Sequence, residues 1–173
     1  HDLLIAQSPT LLISGEIDNE MRCYIENSIA YLRTKNNPPL QIVIDSGGGS
    51  VAAGLDIYDL IRLYPGETFG IVYSKASSMA TIVLQACTKR QCARHAEILI
   101  HHVSRKSVSL DSLKNPAKLS EIIQDMEKDQ SRLYKILCDK TEKSEADIAS
   151  ECEKDTPMSA EDALEFRLID EII

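Results

Sequence analysis

The chain has 173 residues, of which 43% are apolar, enough for one core, and we predict a single domain over residues 1–173. Its 27 acidic and 19 basic residues give a formal charge of −8, which disfavours nucleic acid as a partner. No run of about 18 apolar residues occurs, so we expect no membrane association.

The cysteines give a prediction about the compartment. Five are present, an odd number without a CxxC pair or histidines at ligand spacing: Cys23, Cys87, Cys92, Cys138 and Cys152. This pattern favours free thiols in a reducing environment over disulfides or a metal site. We therefore expect a cytoplasmic protein.

The first half of the chain alternates strand and helix signals. Two short strands interrupted by Ser8 and Pro9 precede a helix whose apolar residues recur at helical spacing as far as Leu32. The β-branched run 40–45 predicts a buried strand, the glycines after it a turn, and residues 51–64 a second helix. The strand predicted at 67–74 is followed by a helix at 77–87.

The second half adds a strand at 92–102 and a polar stretch at 103–115 that lacks periodicity. A long helix is predicted from about Pro116 to Asp139. Its apolar side is formed by Leu119, Ile122, Ile123, Met126, Leu133, Ile136 and Leu137.

Two short helices, near 144–152 and 159–166, and a strand at 168–173 complete the predicted elements. Strand, turn and helix units that repeat in this way predict an α/β fold with a parallel sheet.

Two strand-to-helix junctions could carry chemistry. Gly47, Gly48 and Gly49 permit a close backbone approach, either as a phosphate loop without the usual lysine or as a plain turn capped by Ser50. The second junction is the segment 74–80, "SKASSMA", where Ser77 and Ser78 begin a predicted helix. A serine there lies beside free backbone N–H groups, where a nucleophile and an oxyanion site can coexist. Helix capping explains such a serine equally well.

A nucleophilic serine needs a base, and His101 and His102 follow a buried-looking strand. Either could instead be an ordinary solvated imidazole. Asp155, just before a capping box that begins at Ser159, could orient the base or could be a solvated loop acid. The residues alone leave both questions open.

Five motifs taken in order resemble the ClpP family, the proteolytic subunits of Clp ATP-dependent serine proteases. They are "SGEID", "IDSGGGSVAAGLDIYD", "ASSMA", "ILIHH" and "DTPMSAEDALEFRLIDEII". The resemblance covers nearly the whole chain. It implies a ClpP/crotonase-like α/β fold of repeated strand-turn-helix units with a long helix in the C-terminal half.

Carried over by position, the resemblance implies Ser78 as nucleophile, with Ser77 where the family has alanine. It implies His101 as general base and Asp155 as the acid that orients it. The backbone N–H groups of Gly48 and Met79 would form the oxyanion hole. No cofactor and no metal are implied.

The implied function is a serine endopeptidase that cuts unfolded polypeptides. The family assembles as homo-oligomeric rings of seven subunits and works with an AAA+ ATPase. The chain departs from the family at Gly47, where the family has proline, at Asp45, where it has asparagine, and at Lys75. The family's glycine-rich strand after the histidine is replaced by a stretch that contains Arg105 and Lys106, so stacking of rings is in question.

Other interpretations remain at this stage. A phage or mobile-element protease on the same fold would act without an ATPase. A crotonase-like acyl-CoA enzyme shares the fold but not the Ser, His and Asp set. A signal-peptide-peptidase relative would use a lysine base such as Lys114 or Lys118, and a non-catalytic ring subunit would normally have lost part of the triad.

Overall fold

A computed structural model describes residues 8–105 and 107–173 of the chain. The first of the two strands predicted around Ser8 and Pro9, and Lys106 of the predicted basic pair, lie outside the described residues. None of the helices in the described ranges combines the length and the apolar character needed to cross a membrane.

The described residues form an α/β structure around a parallel sheet, which confirms the predicted fold class. The strands are β1 (Thr10–Ile17), β2 (Leu40–Gly49), β3 (Thr68–Ser77), β4 (Lys89–Cys92), β5 (Glu97–Leu99) and β6 (Glu171–Ile172). They are ordered β1-β2-β3-β4-β6, and every strand pair is parallel. β5 pairs with the C-terminal end of β3, beyond the part that pairs with β4.

The helices are α1 (Asn19–Arg33), α2 (Val51–Arg62), α3 (Met79–Leu84), α4 (Leu110–Lys114), α5 (Pro116–Thr141), α6 (Glu145–Lys154) and α7 (Ala160–Glu165). Several begin at a side-chain cap. Asp18 accepts from the Met21 N–H at 2.9 Å, and Pro116 occupies the first turn of α5 as predicted. The predicted capping box at Ser159 is present, because Ser159 and Asp162 bond reciprocally.

The core lies between the sheet and the helices. Alternate residues of β2, Leu40, Ile42 and Ile44, are fully buried, and Ile25 and Ile57 of α1 and α2 pack in the same cluster. Burial of these side chains supplies the main driving force for folding.

Two sequence predictions were wrong in detail, and one segment for which no element was predicted contains a helix. The glycines after residue 45 are part of strand β2, because Gly48 and Gly49 pair with Glu16 and Ile17 of β1. The predicted strand at 92–102 is two strands, β4 and β5, and β4 begins earlier, at Lys89. The polar stretch 103–115 contains the short helix α4.

The apolar side predicted for the long helix is covered over only part of its length. Leu133 and Leu137 are buried, whereas the first half of α5 contains no buried residue and Ile123 is 46% exposed. The second half of α5 therefore anchors the helix, and it also forms one wall of the cleft described next.

Candidate active site

A cleft of about 800 Å³ lies at the C-terminal ends of β2, β3 and β5. Parallel α/β sheets commonly bind ligands at this edge, where the loops after several strands meet. Its lining includes Gly48, Ser78, Met79 and His101, so four of the five residues implied by the family resemblance share one cavity. Asp155 is not part of the lining.

Ser78 occupies a sharp turn between β3 and α3. Its backbone has φ 57° and ψ −125°, a conformation that a residue with a side chain rarely adopts, and its side chain makes no capping hydrogen bond. Such a conformation costs about 1 to 3 kcal/mol and is concentrated at functional sites. The capping explanation is therefore wrong for Ser78, and Ser77 is the last residue of β3 rather than a helix residue.

The strained turn is held by hydrogen bonds from two directions. The Ser78 N–H donates to the Leu99 carbonyl of β5 at 2.9 Å, and its carbonyl accepts from the Thr81 N–H at 3.0 Å. The Thr81 hydroxyl lies 2.7 Å from the Ala76 carbonyl and 2.9 Å from the Leu99 carbonyl. Sequence analysis missed Thr81, although a hydroxyl in the otherwise apolar segment "MATIVL" is a recognisable signal.

His101 reaches the cleft because β5 runs alongside the end of β3. Ser77 is paired with Leu99, and two residues later the chain places the half-buried His101 in the cavity lining. Among the described residues no hydrogen bond joins the His101 ring to Ser78 or to Asp155.

His102 also borders the cleft, but its ring is engaged elsewhere. Its Nδ1 lies 2.8 Å from the Tyr134 hydroxyl of α5, and the two ring centroids are 6.2 Å apart. Burial raises the pKa of Tyr134 to about 12, so this phenol stays protonated at neutral pH. His102 is thus tied to α5, which leaves His101 as the histidine available to the cleft.

Asp155 lies at the end of α6 with φ 45°, and its side chain is exposed. Three residues later, Met158 forms an antiparallel bridge with Ile98, with N···O distances of 2.7 and 3.1 Å. This bridge brings the segment that follows Asp155 alongside the strand that leads to His101. Among the described residues, no hydrogen bond joins the Asp155 and His101 side chains.

The two candidate oxyanion donors lie side by side. A Cβ built on Gly48, which has φ 93°, would fall 2.7 Å from the Ser78 Cβ and 3.0 Å from the Met79 nitrogen. Only glycine permits this approach. Among the described residues, the Met79 N–H has no hydrogen-bond acceptor, whereas the Gly48 N–H donates to the Ser46 hydroxyl at 3.0 Å.

The rest of the cleft has both polar and apolar walls. Its apolar lining consists of Val51, Ala52, Ile82, Ile100, Val103, Met126, Leu133, Leu137 and Cys152. Burial raises the pKa of the Cys152 thiol to about 11, so this cysteine is a neutral wall residue and not a thiolate nucleophile. Lys75 is an exposed strand residue opposite Glu97 and does not line the cleft.

A serine in a strained turn, an adjacent free backbone N–H and a nearby histidine are the elements of a hydrolase that works by acyl transfer. Comparison with known proteins agrees. The family described as Clp protease matches residues 3–173.

The alignments with named relatives cover most of this chain and most of each relative. An ATP-dependent Clp protease proteolytic subunit from Leuconostoc citreum is 31% identical over 94% of this chain and 82% of the relative. The ATP-dependent Clp protease proteolytic subunit 1 of Protochlamydia amoebophila is 32% identical over 98% of this chain and 82% of its own length. The chain therefore belongs to the Clp protease family, a family of serine peptidases.

Proposed function

We propose that this chain is a serine endopeptidase in which Ser78 attacks the peptide carbonyl, His101 is the general base and Asp155 orients His101. The observation that carries the proposal is the strained Ser78 turn in the cleft that His101 also lines. The turn holds the serine beside the Met79 N–H, which has no acceptor in the part of the chain that the structure describes. Family membership supports it independently.

The reaction proceeds in two acyl-transfer steps. As the Ser78 oxygen bonds to the substrate carbonyl carbon, its proton passes to a ring nitrogen of His101. The resulting imidazolium then gives that proton to the leaving amine as the C–N bond breaks, which leaves an ester on Ser78. A water molecule, deprotonated by His101, attacks the ester; as the C–O bond to Ser78 breaks, His101 returns the proton to the Ser78 oxygen and the peptide acid is released.

The negative oxygen of each tetrahedral intermediate would be stabilised by the N–H groups of Met79 and Gly48. One such donor typically contributes about 3 to 4 kcal/mol to transition-state stabilisation. Met79 is ready to donate, whereas Gly48 must first leave Ser46. Asp155 must likewise turn towards His101, and its exposed position leaves its side chain room to do so.

The cleft indicates the kind of substrate. Apolar walls from α3 and α5 suit an apolar side chain next to the scissile bond, and a peptide must be unfolded to present one there. The names of the relatives describe proteolytic subunits of ATP-dependent proteases. We propose that this chain likewise acts on polypeptides, in the cytoplasm, in a homo-oligomeric ring of seven subunits with an AAA+ ATPase.

A second candidate is a protease of the same family that works without an ATPase. It is favoured by the segment after His101, where the described residues form a loop and the exposed helix α4 instead of the glycine-rich strand implied by the family. The acyl-CoA alternative is disfavoured by the family match, and a non-catalytic subunit is disfavoured by the retained Ser, His and Asp.

A fluorophosphonate probe tests the nucleophile. Wild type and Ser77→Ala should be labelled, and Ser78→Ala should not. Labelling that persists in Ser78→Ala would contradict the assignment, and absence of labelling in folded wild type would favour the non-catalytic alternative. The mass of the native particle, measured with and without an AAA+ ATPase and ATP, separates the ring and partner proposals from the chemistry.

A further inference from the structure

One buried hydroxyl connects the glycine segment of β2 to the neighbouring strand. Ser46 is 0% exposed, and its Oγ lies 2.5 Å from the Gly15 carbonyl and 3.0 Å from the Gly48 nitrogen. Both strand pairings are irregular here, with register shifts between Ser14 and Glu16 in β1 and between Ile44 and Ser46 in β2.

The direction of these two hydrogen bonds is fixed by chemistry. A carbonyl oxygen only accepts, so the single hydroxyl proton of Ser46 goes to Gly15. A lone pair of the Ser46 oxygen is then left for the Gly48 N–H, which donates to it. The hydroxyl therefore acts as a bridge that fixes the peptide between Gly47 and Gly48.

This bond commits the Gly48 N–H to an acceptor that is not part of the cleft lining. Gly15, Gly47 and Gly48 line the cavity, but the buried Ser46 does not. A donor that is bonded to Ser46 is satisfied inside the protein and is not free for an oxyanion that forms beside Met79. Of the two proposed oxyanion donors, the described structure leaves the Met79 N–H without an acceptor and the Gly48 N–H bonded to Ser46.

We propose that Ser46 is a positioning residue that holds the Gly48 N–H in a resting orientation and releases it to the oxyanion during each acyl transfer. The inference rests on the proposed function, since it concerns the oxyanion donors of that site. In the transition state the charged oxygen competes with the neutral Ser46 oxygen for the same proton, and hydrogen bonds to charged acceptors are about twice as strong.

The chain permits the required rotation. Gly47 and Gly48 flank the peptide that must turn, and a Cβ built on Gly47 would meet no atom within 4 Å. Without side chains on either residue, the two adjoining torsions can change together at little steric cost. Proline at position 47 would restrict this motion, so the glycine found here suits an exchange between two acceptors.

Ser46→Ala removes the resting acceptor and tests the inference. We expect kcat for a short fluorogenic peptide amide to rise about fivefold, the equilibrium factor that corresponds to one neutral hydrogen bond. KM should change by less than about twofold, because the N–H acts on the transition state and not on the bound substrate. A peptide boronate, which forms a tetrahedral adduct with an active serine, should bind tighter by the same factor as kcat.

Ser46→Cys supplies a second arm if the alanine variant folds poorly, because a thiol is a weaker acceptor of similar size. It should raise kcat by about twofold, again with unchanged KM. Ser14→Ala is the matched control, an exposed serine beside Gly15 in β1, and should behave as wild type.

Unchanged or lowered kcat in both folded Ser46 variants would overturn the inference, since the hydroxyl would then support the active loop. Failure of the proposed function looks different. In that case Ser78→Ala would keep wild-type peptidase activity, and the boronate would bind no better to wild type than to Ser78→Ala.

Discussion

The two sides of the cleft are built in different ways. On the nucleophile side, Ser78 and Met79 connect β3 to α3, a helix in which every residue is buried. On the base side, His101 leads into residues 103–105 and 107–109, none of which is buried, and then into the exposed helix α4.

The contacts that hold these sides differ accordingly. The buried Thr81 hydroxyl lies within hydrogen-bonding distance of the Ala76 and Leu99 carbonyls beside the Ser78 turn. The segment after His101 is held to α5 by a hydrogen bond from the Val103 N–H to Gln130 Oε1 at 2.6 Å and by an Arg105 to Asp125 ion pair at 3.6 Å. An exposed ion pair of this kind contributes at most about 1 kcal/mol.

This difference in contacts indicates which residues of the proposed catalytic set can change position. Disturbing the nucleophile turn would disturb the core, whereas the base and the acid can move at small cost in stability. Assembly or substrate binding would therefore act most easily on His101 and Asp155.

The largest loss of activity is expected for His101→Ala. If His101 is the general base, kcat for a peptide amide should fall by about 10⁵ to 10⁶, since removal of the base in a serine protease costs that order of rate. His102→Ala should reduce kcat only a few-fold, because it breaks one contact with Tyr134. Steady-state kinetics on both variants provide the comparison, and the reverse ranking would make His102 the base.

Asp155→Asn should come next, with kcat lower by about 10³ to 10⁴ and little change in unfolding temperature. Asparagine keeps the shape and tolerates the left-handed backbone of this position, but it no longer stabilises the imidazolium. Glu153→Gln, an exposed acid in the same helix, serves as control. A folded Asp155→Asn variant within tenfold of wild type would remove Asp155 from the proposed triad.

Gly48→Ala tests the close packing of Gly48 against the Ser78 turn. The added methyl would meet Ser78 Cβ at 2.7 Å, so we expect a loss of about 10² to 10³ in kcat and of about 1 to 3 kcal/mol in the free energy of unfolding. Gly47→Ala meets no atom within 4 Å and should keep the wild-type unfolding midpoint in urea. An active, fully stable Gly48→Ala enzyme would show that the two segments are not packed as closely as described.

Sequence patterns predicted the elements whose signals are local. Helical spacing, Pro116 and the Ser159 capping box were sufficient to place the long helix and the box. The parallel sheet followed from the alternation of strands and helices. By contrast, the start of β4 was placed too late because its polar sequence "KRQC" has no local strand signal: the half-buried strand depends on partners such as Asp170, to which the Arg90 side chain bonds.

The candidate site shows the same division between features with a local sequence signal and features that depend on distant residues. The family motifs identified the candidate residues, but the residues alone could not separate a nucleophilic serine from a helix cap. The backbone conformation of Ser78 supports the proposal that it is the nucleophile, and this conformation depends on tertiary contacts such as the bond from the Ser78 N–H to the Leu99 carbonyl of a later strand. Likewise, the bond between Ser46 and Gly48 depends on Gly15 of β1, a contact with no local sequence signal.

The smallest expected effect sharpens the contrast between the two sides. Gln130→Ala removes the acceptor of the Val103 N–H, so the segment after His101 loses a contact worth roughly 1 kcal/mol and kcat should fall by about fivefold. Because this contact lies outside the core, the unfolding temperature should barely change. Gln124→Ala, on the same helix, removes a side chain that bonds to Ser120 at 3.4 Å, and it should leave both quantities at wild-type values. If Gln130→Ala instead lowered stability and left kcat intact, the base side would be part of the folded core, and His101 would be held as firmly as Ser78.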